Sequence, residues 1–152
     1  MLKNVLFYII CLVPWFLSSI IPVDFDYYKT LTLPFFAPGD WFYILLWPTV
    51  YILLALNLYF LFKEIRFKDI PWSYKLSLLI NYIFNQGYIL VAFGIKSNFL
   101  GFVFCLGNLI SLLFLYEETY QLKTSKIKLL WPYVAISLFA VILSFIIYII
   151  NL

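Results

Sequence analysis

The sequence contains no histidine, and only 11% of its 152 residues are charged. A chain without histidine has no imidazole general base and none of the histidine ligands that hold most zinc and haem groups. No P-loop, GxGxxG or GxSxG pattern occurs either. These absences argue against a conventional enzyme, and we expect neither a catalytic residue nor a metal site. The net charge of +3 is small and dispersed, which argues against a nucleic-acid partner.

Apolar residues are in excess: they make up 66% of the chain, and the mean hydropathy is +1.03. Soluble domains are about half apolar and about one quarter charged, so a soluble core of this length could not bury the excess. The composition therefore predicts an integral membrane protein. The two cysteines, Cys11 and Cys105, lie inside apolar segments and are expected to be buried thiols rather than a disulfide.

Charged residues and prolines divide the chain into five apolar segments, which we expect to be the transmembrane helices of a single domain over residues 1–152. Their expected bounds are about 4–21, 39–62, 72–93, 98–120 and 127–150. Each is near the ~20 residues needed to cross the hydrocarbon core. A cleaved signal peptide is the alternative for the first segment, but its length and the lack of a small-x-small cleavage site favour a helix. An odd number of spans argues against a transporter of two simple repeats.

Positive charges are unequally divided between the two sides of the membrane. The side with the N-terminus and the second and fourth loops holds Lys3, Lys63, Arg66, Lys68, Lys75, Lys123, Lys126 and Lys128. The other side holds only Lys29 and Lys96. By the positive-inside rule we expect a multi-pass membrane protein with a cytoplasmic N-terminus and an external C-terminus.

Three amides, Asn81, Asn85 and Gln86, stand in the middle of the third span. Asn81 and Asn85 are four residues apart, so a helix places them on one face. Amides at this depth are costly unless they find partners or line a cavity. Asn85 is expected to face a ligand pocket or a transport path, whereas Asn81 and Gln86 are candidates for bonds to neighbouring helices.

Aromatic residues and prolines surround the second span. Pro34 and Pro38 restrict the backbone of the first loop, so the segment 27–41 is expected to be extended and stiff rather than helical. Such a loop could cover a pocket, and the alternative is an interfacial aromatic belt. Within the span, Trp47 and Tyr51 face the same way, and their polar ring groups need partners or a polar cavity. In the fourth span, the small residues at 97, 101 and 105 favour close helix packing.

The order and spacing of these motifs resemble one known family over nearly the whole chain. The motifs are Tyr28, Pro34-Phe-Phe36-Ala-Pro38, Trp47-Pro-Thr-Val-Tyr51, Lys63-Glu64, Asn85 with Phe93-Gly94, and Trp131-Pro132-Tyr133. They are similar to those of the tryptophan-rich sensory proteins, also called the translocator protein or peripheral benzodiazepine receptor family. No single motif is specific, but their joint order is.

The resemblance implies an all-α integral membrane fold, a five-helix bundle with a ligand pocket covered by the loop between the first two spans. Members of that family bind porphyrins, and animal members bind cholesterol and benzodiazepine-type drugs. A porphyrin is therefore the expected ligand, no obligatory cofactor is implied, and a homodimer is plausible. Carried over by position, the pocket would be lined by Tyr28, Pro38, Trp47, Tyr51, Asn85, Tyr88, Cys105 and Ala140.

The sequence also departs from the family pattern. Phe36 and Ile136 stand where tryptophans are usual, Phe104 stands at a position that is aspartate in some members, and Ser144 stands where asparagine is common. This sequence looks like the bacterial members, which implies a bacterial cell membrane. For some of those members a light-dependent porphyrin-degrading activity is attributed to tryptophans in the pocket. Because Ile136 removes one of the two indoles, we expect binding rather than photochemical turnover. A porphyrin or lipid carrier is the other alternative, although spans two and three contain no buried acid to couple ion flow.

Overall fold

The computed structural model describes residues 2–152, apart from the side chains of Phe25, Asp40 and residues 42–44. This part of the chain is all-helical, with α1 Leu2–Leu12, α2 Phe25–Thr30, α3 Asp40–Glu64, α4 Trp72–Ile89, α5 Asn98–Gln121 and α6 Trp131–Ile150. Five stretches are long and apolar enough to cross a membrane: Leu2–Ile20, Leu45–Glu64, Trp72–Gly94, Asn98–Gln121 and Ile127–Ile150. The expected all-α, five-helix membrane architecture is confirmed.

The first span changes its helix type half way along. After Leu12 the chain continues as a 3-10 helix over Val13–Ile20. Pro14 explains the change, because proline has no backbone N–H to donate to the carbonyl one turn earlier. The tighter 3-10 segment places Ser18 and Trp15 on the inner face of the bundle, where both are buried.

The first loop is partly helical, which corrects the expectation of an extended segment over residues 27–41. Phe25–Thr30 forms the short helix α2. Its start is set by Asp24, whose carboxylate accepts a hydrogen bond from the Tyr27 N–H at 2.9 Å. The prolines act only further on, where the chain leaves the helix and the Ala37 N–H donates to the Pro34 carbonyl at 2.9 Å.

The third span ends in a wide turn. Leu90–Gly94 is a π-helical turn, closed by the Ile95 N–H donating to the Leu90 carbonyl at 2.9 Å. A tight connection follows, in which Lys96 has a positive φ of 58°. Ser97 then caps α5 by accepting from the Leu100 N–H at 3.2 Å.

Helices α4 and α5 pack by a ring–glycine exchange, in which a glycine of each helix faces a phenylalanine ring of the other. A Cβ on Gly107 of α5 would lie 2.5 Å from the Phe84 ring of α4, and a Cβ on Gly87 of α4 would lie 2.5 Å from the Phe104 ring of α5. The two rings meet edge to face, with centroids 5.4 Å apart. Gly101 similarly lies against Ala92, so the small residues of α5 do serve close packing.

The other extensive contacts join α5 to α6 and α1 to α3. The buried apolar core includes Leu54, Leu61, Tyr74, Leu115 and Leu130, towards the end of the bundle opposite the first loop. Large side chains on the outside are apolar, as expected for surfaces that face lipid. Near the first loop, α1, α3, α4 and α6 instead leave a space between them.

Candidate functional site

A cavity of about 410 Å³ lies inside the bundle under the first loop. Drug-sized ligands occupy pockets of roughly 300–1,000 Å³, so this space can hold one. Its walls come from four parts of the chain. The lining residues are Phe16, Ser18, Ser19, Ile21, Pro22, Val23 and Tyr28; Leu46, Trp47, Pro48 and Tyr51; Asn85, Tyr88, Ile89 and Phe93; and Ile136, Phe139, Ala140, Leu143, Ser144 and Ile147.

Six of the eight residues expected to line a pocket do line this cavity: Tyr28, Trp47, Tyr51, Asn85, Tyr88 and Ala140. The other two lie elsewhere. Cys105, on α5, borders a separate void of about 10 Å³ behind Trp47 and Asn85, and Pro38 lines neither space. The first loop instead contributes Ile21, Pro22 and Val23, which come before α2 in the chain.

Sequence reasoning missed most of the wall formed by the 3-10 helix Val13–Ile20 and by α6. Phe16, Ser18, Phe139 and Leu143 all line the cavity. They belong to uniformly apolar stretches, and a pattern of apolar residues does not distinguish a cavity wall from a lipid-facing surface. The available signals were Ser18, Ser19 and Ser144, three small polar residues inside membrane spans.

Aromatic rings form two sides of the cavity. On one side the Trp47 and Tyr51 rings lie 6.0 Å apart at 33°, and Phe16 meets Tyr51 edge to face at 5.3 Å. On the other side Phe93 contacts Tyr28 at 6.1 Å and Tyr88 at 6.3 Å. Such rings offer flat apolar faces to a flat ligand.

A group of buried polar residues, here called the amide cluster, joins α4, α5 and α6 beside the cavity. It consists of Asn81, Asn108, Ser111, Tyr133 and Ser137. Asn81 Nδ2 lies 3.1 Å from the Asn108 carbonyl oxygen and 3.2 Å from Ser111 Oγ, and Asn108 Nδ2 donates to Ser137 Oγ at 3.1 Å. Asn81 therefore holds helices together, as one of the sequence alternatives proposed.

The Tyr133 hydroxyl is the hub of this cluster. It lies 2.8 Å from Asn108 Oδ1 and 3.2 Å from Asn81 Oδ1, and it accepts a bond from Asn85 Nδ2 at 2.9 Å. A hydroxyl has one proton to donate, so the shorter contact to Asn108 is the principal donation. The hub thus connects the amide cluster to the cavity wall at Asn85.

Gln86 joins the 3-10 helix Val13–Ile20 to α4. Its Oε1 accepts from the Ser18 N–H at 2.8 Å, and its Nε2 donates to the Trp15 carbonyl at 3.1 Å. These are the two backbone groups that a 3-10 hydrogen bond joins. Gln86 Nε2 also donates to Asn85 Oδ1 at 2.9 Å. Among the described residues, Asn85 is therefore left with one N–H and one lone pair for a ligand.

The first loop is held over the cavity at two places. At one, Asp24 Oδ2 lies 2.8 Å from Lys96 Nζ, and the Tyr27 hydroxyl lies 3.1 Å from the Lys96 carbonyl oxygen. The hydrogen bond from Lys96 holds the pKa of the Asp24 carboxyl below its usual range, and Asp24 in turn raises the pKa of Lys96. At the other, Thr32 and Asn151 exchange two hydrogen bonds of 2.8 and 2.9 Å.

Among the residues whose side chains the structure describes, no Asp, Glu, Lys or Arg lines the cavity. Across the described residues, no three Cys, Asp or Glu side chains come together in a way that could hold a metal ion. The polar side-chain groups of the described lining residues are the Asn85 amide, the Trp47 indole N–H and several hydroxyls, which can orient a neutral group by hydrogen bonds. The arrangement suits the binding of a largely apolar molecule.

The fold and the cavity together define a multi-pass, five-helix membrane protein with an internal aromatic cavity beneath a helical loop. The chain belongs to the TspO/MBR family, which it matches over residues 5–149. It is 33% identical over 138 residues to the tryptophan-rich protein TspO of Bacillus cereus, covering 90% of this chain and 89% of that protein. It is also 30% identical over 131 residues to the uncharacterized membrane protein YtaB of Bacillus subtilis, covering 86% and 84%.

Proposed function

We propose that this protein is a receptor-like membrane protein that binds a flat, hydrophobic ligand of the porphyrin class in the internal cavity. The observation that carries the proposal is the pairing of aromatic walls with one amide and several hydroxyl groups around a single cavity. Flat rings stack favourably on Trp47 and Tyr51, and the spare hydrogen-bonding capacity of Asn85 addresses a polar group of the ligand.

The absence of charge in the lining also bears on how a porphyrin would lie. A carboxylate buried without a cation is costly, so the acidic side chains of a natural porphyrin would remain at the mouth. Lys29 follows the cavity residue Tyr28 in the chain, and its exposed ammonium group, which pairs with Asp26 at 3.5 Å, is the cation that we propose for them. The proposal therefore includes an apolar macrocycle inside the cavity and its carboxylates outside.

Titration of the purified protein with protoporphyrin tests this function. Trp47 is one of five tryptophans, so tryptophan fluorescence is followed in the native protein and in Trp47→Phe. If the Trp47 ring contacts the ligand, the native protein is quenched at micromolar porphyrin and Trp47→Phe loses most of that quenching. Trp131→Phe is the matched control, because Trp131 is exposed at the opposite end of the bundle.

The absence of saturable quenching in the native protein at micromolar porphyrin would contradict the proposal. Two further measurements separate binding from its alternatives. Uptake of porphyrin into proteoliposomes would indicate a carrier. Bleaching of the porphyrin Soret band under light, dependent on Trp47, would indicate an enzyme.

The proposal places the protein in a bacterial cell membrane with the cavity near the outer face, as the distribution of lysines and arginines suggests. A reporter that is active only in the cytoplasm, fused after Leu152, should then be silent. An active reporter would reverse the orientation. It would leave the ligand proposal unaffected.

A further inference from the structure

Basic residues outnumber acidic ones at the end of the bundle opposite the first loop. This end holds eight of the ten lysines and arginines but four of the seven acidic residues. Each of the four carboxylates accepts a hydrogen bond from a nearby side chain, and the acidic residues are Glu64, Asp69, Glu117 and Glu118. Their donors are neutral except at Asp69, which pairs with Arg66. Among the described residues, the seven lysines at this end are left without an ion pair.

Two of these lysines lie over aromatic rings instead. Lys63 Nζ is 4.7 Å from the centre of the Tyr59 ring, and Lys75 Nζ is 4.5 Å from the centre of the Phe67 ring. The face of a ring attracts an ammonium group but does not neutralise its charge. Both cations are therefore held in place and remain available to an anion.

The two rings belong to one group, here called the ring cluster, which consists of Phe7, Tyr59, Phe62 and Phe67. The centre of the Phe7 ring lies 5.9 Å from that of Tyr59 and 6.3 Å from that of Phe62. The Phe62 and Phe67 rings lie 5.9 Å apart. Lys3 precedes Phe7 by four residues on α1, so a third exposed lysine lies on that face of the helix. The ring cluster thus gathers lysines from α1, α3 and α4 at one corner of the bundle.

The same corner also carries exposed apolar surface. Phe67 is 65% exposed, and Trp72, at the start of α4, is 72% exposed. Further into the membrane the outer faces of α1 and α4 are apolar, as at Leu6 and Leu79. Exposed rings beside lysines at the end of membrane spans are typical of a surface that contacts phospholipid headgroups. A small soluble anion would make no use of this apolar surface.

We propose that the ring cluster and its three lysines, Lys3, Lys63 and Lys75, form a binding site for an anionic phospholipid. The lysines contact the phosphate of the headgroup, and the acyl chains lie along α1 and α4. Phosphatidylglycerol carries a net negative charge, whereas the choline group of phosphatidylcholine cancels the charge of its phosphate. The site therefore selects lipids by the net charge of the headgroup. It lies at the opposite end of the bundle from the cavity, so this inference does not depend on the ligand proposed there.

Native mass spectrometry of the full chain in a non-ionic detergent tests the selectivity. Dioleoylphosphatidylglycerol and dioleoylphosphatidylcholine differ in the headgroup alone, and the bound copies of each are counted as lipid is added at fixed ionic strength. The native protein should prefer phosphatidylglycerol by about twentyfold, because each basic residue near an anionic headgroup contributes about a factor of five. Lys63→Gln/Lys75→Gln should lose most of this preference and bind phosphatidylcholine as before.

Lys123→Gln/Lys128→Gln is the matched control. It removes the same charge from the same end of the bundle, at two exposed lysines outside the ring cluster. This variant should keep the native preference to within about twofold. Phe67→Ala retains every charge but removes the ring under Lys75. It should weaken phosphatidylglycerol binding by about two- to fivefold, an effect that a general attraction between charges would not produce.

Equal affinity of the native protein for the two lipids would overturn the inference. An equal loss in the two lysine pairs would also overturn it, because it would indicate attraction to charge in general. Displacement of bound phosphatidylglycerol by millimolar inorganic phosphate would show that the site takes a free anion rather than a lipid. If Lys63→Gln/Lys75→Gln does not fold, Phe67→Ala decides, and an unchanged affinity in that variant would refute the role of the ring cluster.

Discussion

Asn81 and Asn85 lie one turn apart on α4, yet their surroundings differ. Asn81 is fully buried, and Asn108, Ser111 and Tyr133 surround its amide. Asn85 has two partners, Gln86 and Tyr133, and borders the cavity. An amide inside a membrane therefore indicates a binding function only when its neighbours leave one of its donors or acceptors without a hydrogen bond.

The largest effect is expected on the free energy of unfolding, from a substitution where α4 packs against α5. In Gly107→Ala the new Cβ would lie 2.5 Å from the Phe84 ring, so either the ring or the helix must move. Overpacking of this kind costs about 1–3 kcal/mol. We expect that loss in the free energy of unfolding, measured in detergent by reversible denaturation.

Gly101→Ala is the control for this change. Its Cβ would meet Ala92 at 3.4 Å, an ordinary contact, so its stability should be close to that of the native protein. Shortening the ring in Phe84→Leu should also recover part of the loss when it is combined with Gly107→Ala. Equal stability of the two glycine variants would show that the ring–glycine exchange is not a constraint.

The next effect concerns the hub that joins the amide cluster to the cavity. Tyr133→Phe removes a hydroxyl that lies within hydrogen-bond distance of Asn81, Asn85 and Asn108. We expect a loss of about 1–2 kcal/mol, near the upper limit for a hydrogen bond inside a membrane, because several amide atoms lose a partner together. Thermal unfolding in detergent measures it.

Tyr82→Phe provides the comparison for that prediction. Among the described residues, the Tyr82 hydroxyl makes one hydrogen bond, to the Pro14 carbonyl at 3.0 Å, and this bond is exposed. Its removal should cost clearly less than removal of the Tyr133 hydroxyl. If the two variants lost the same stability, Tyr133 would not act as a hub.

Substituting the two asparagines separately tests the comparison directly. Asn81→Ala should lower stability by about 1 kcal/mol, because it leaves buried partners unsatisfied, and should leave the porphyrin affinity of the folded protein unchanged. Asn85→Ala should lower the porphyrin affinity by about tenfold, equivalent to ~1.4 kcal/mol. The two measurements are denaturation in detergent and tryptophan quenching. An affinity loss of the same size in both variants would remove the distinction.

The sequence predicts the helices of this fold better than it predicts their contacts. Five runs of about twenty apolar residues are sufficient to indicate five spans, because length and hydropathy are local properties. The role of Tyr133 depends on the register of three helices, which no local pattern specifies. The short helix α2 escaped prediction for a different reason: it depends on one cap, Asp24, rather than on a periodic apolar face.

The cavity shows the same division between local and non-local information. Trp47, Tyr51 and Asn85 stood out because indole, phenol and amide groups are unusual within a membrane span. The pair Ser18 and Ser19 is a weaker signal, since serines are common in such spans and their place beside the cavity is visible only in three dimensions. Cys105 borders the small void rather than the cavity because its helix, α5, packs behind the wall that α4 forms.

The smallest expected effect concerns the loop that covers the cavity. Asp24 and Lys96 form an exposed ion pair, and pairs of this kind contribute little. Removing it in Asp24→Asn should raise the rate of porphyrin dissociation roughly two- to fivefold and leave the aromatic contacts intact. Stopped-flow recovery of tryptophan fluorescence measures that rate.

Asp26→Asn is the matched control, because Asp26 lies on the short helix that Asp24 caps and, among the described residues, forms its ion pair with Lys29.

The rate of porphyrin dissociation should also depend on pH. Since Lys96 lowers the pKa of Asp24 below its ordinary value of 3.8, the contact persists at neutral pH and is lost only as the pH falls below that value. Dissociation from the native protein should therefore accelerate in acid towards the rate of Asp24→Asn, and this variant should not share that acceleration. Equal acceleration of both would show that the ion pair does not hold the loop.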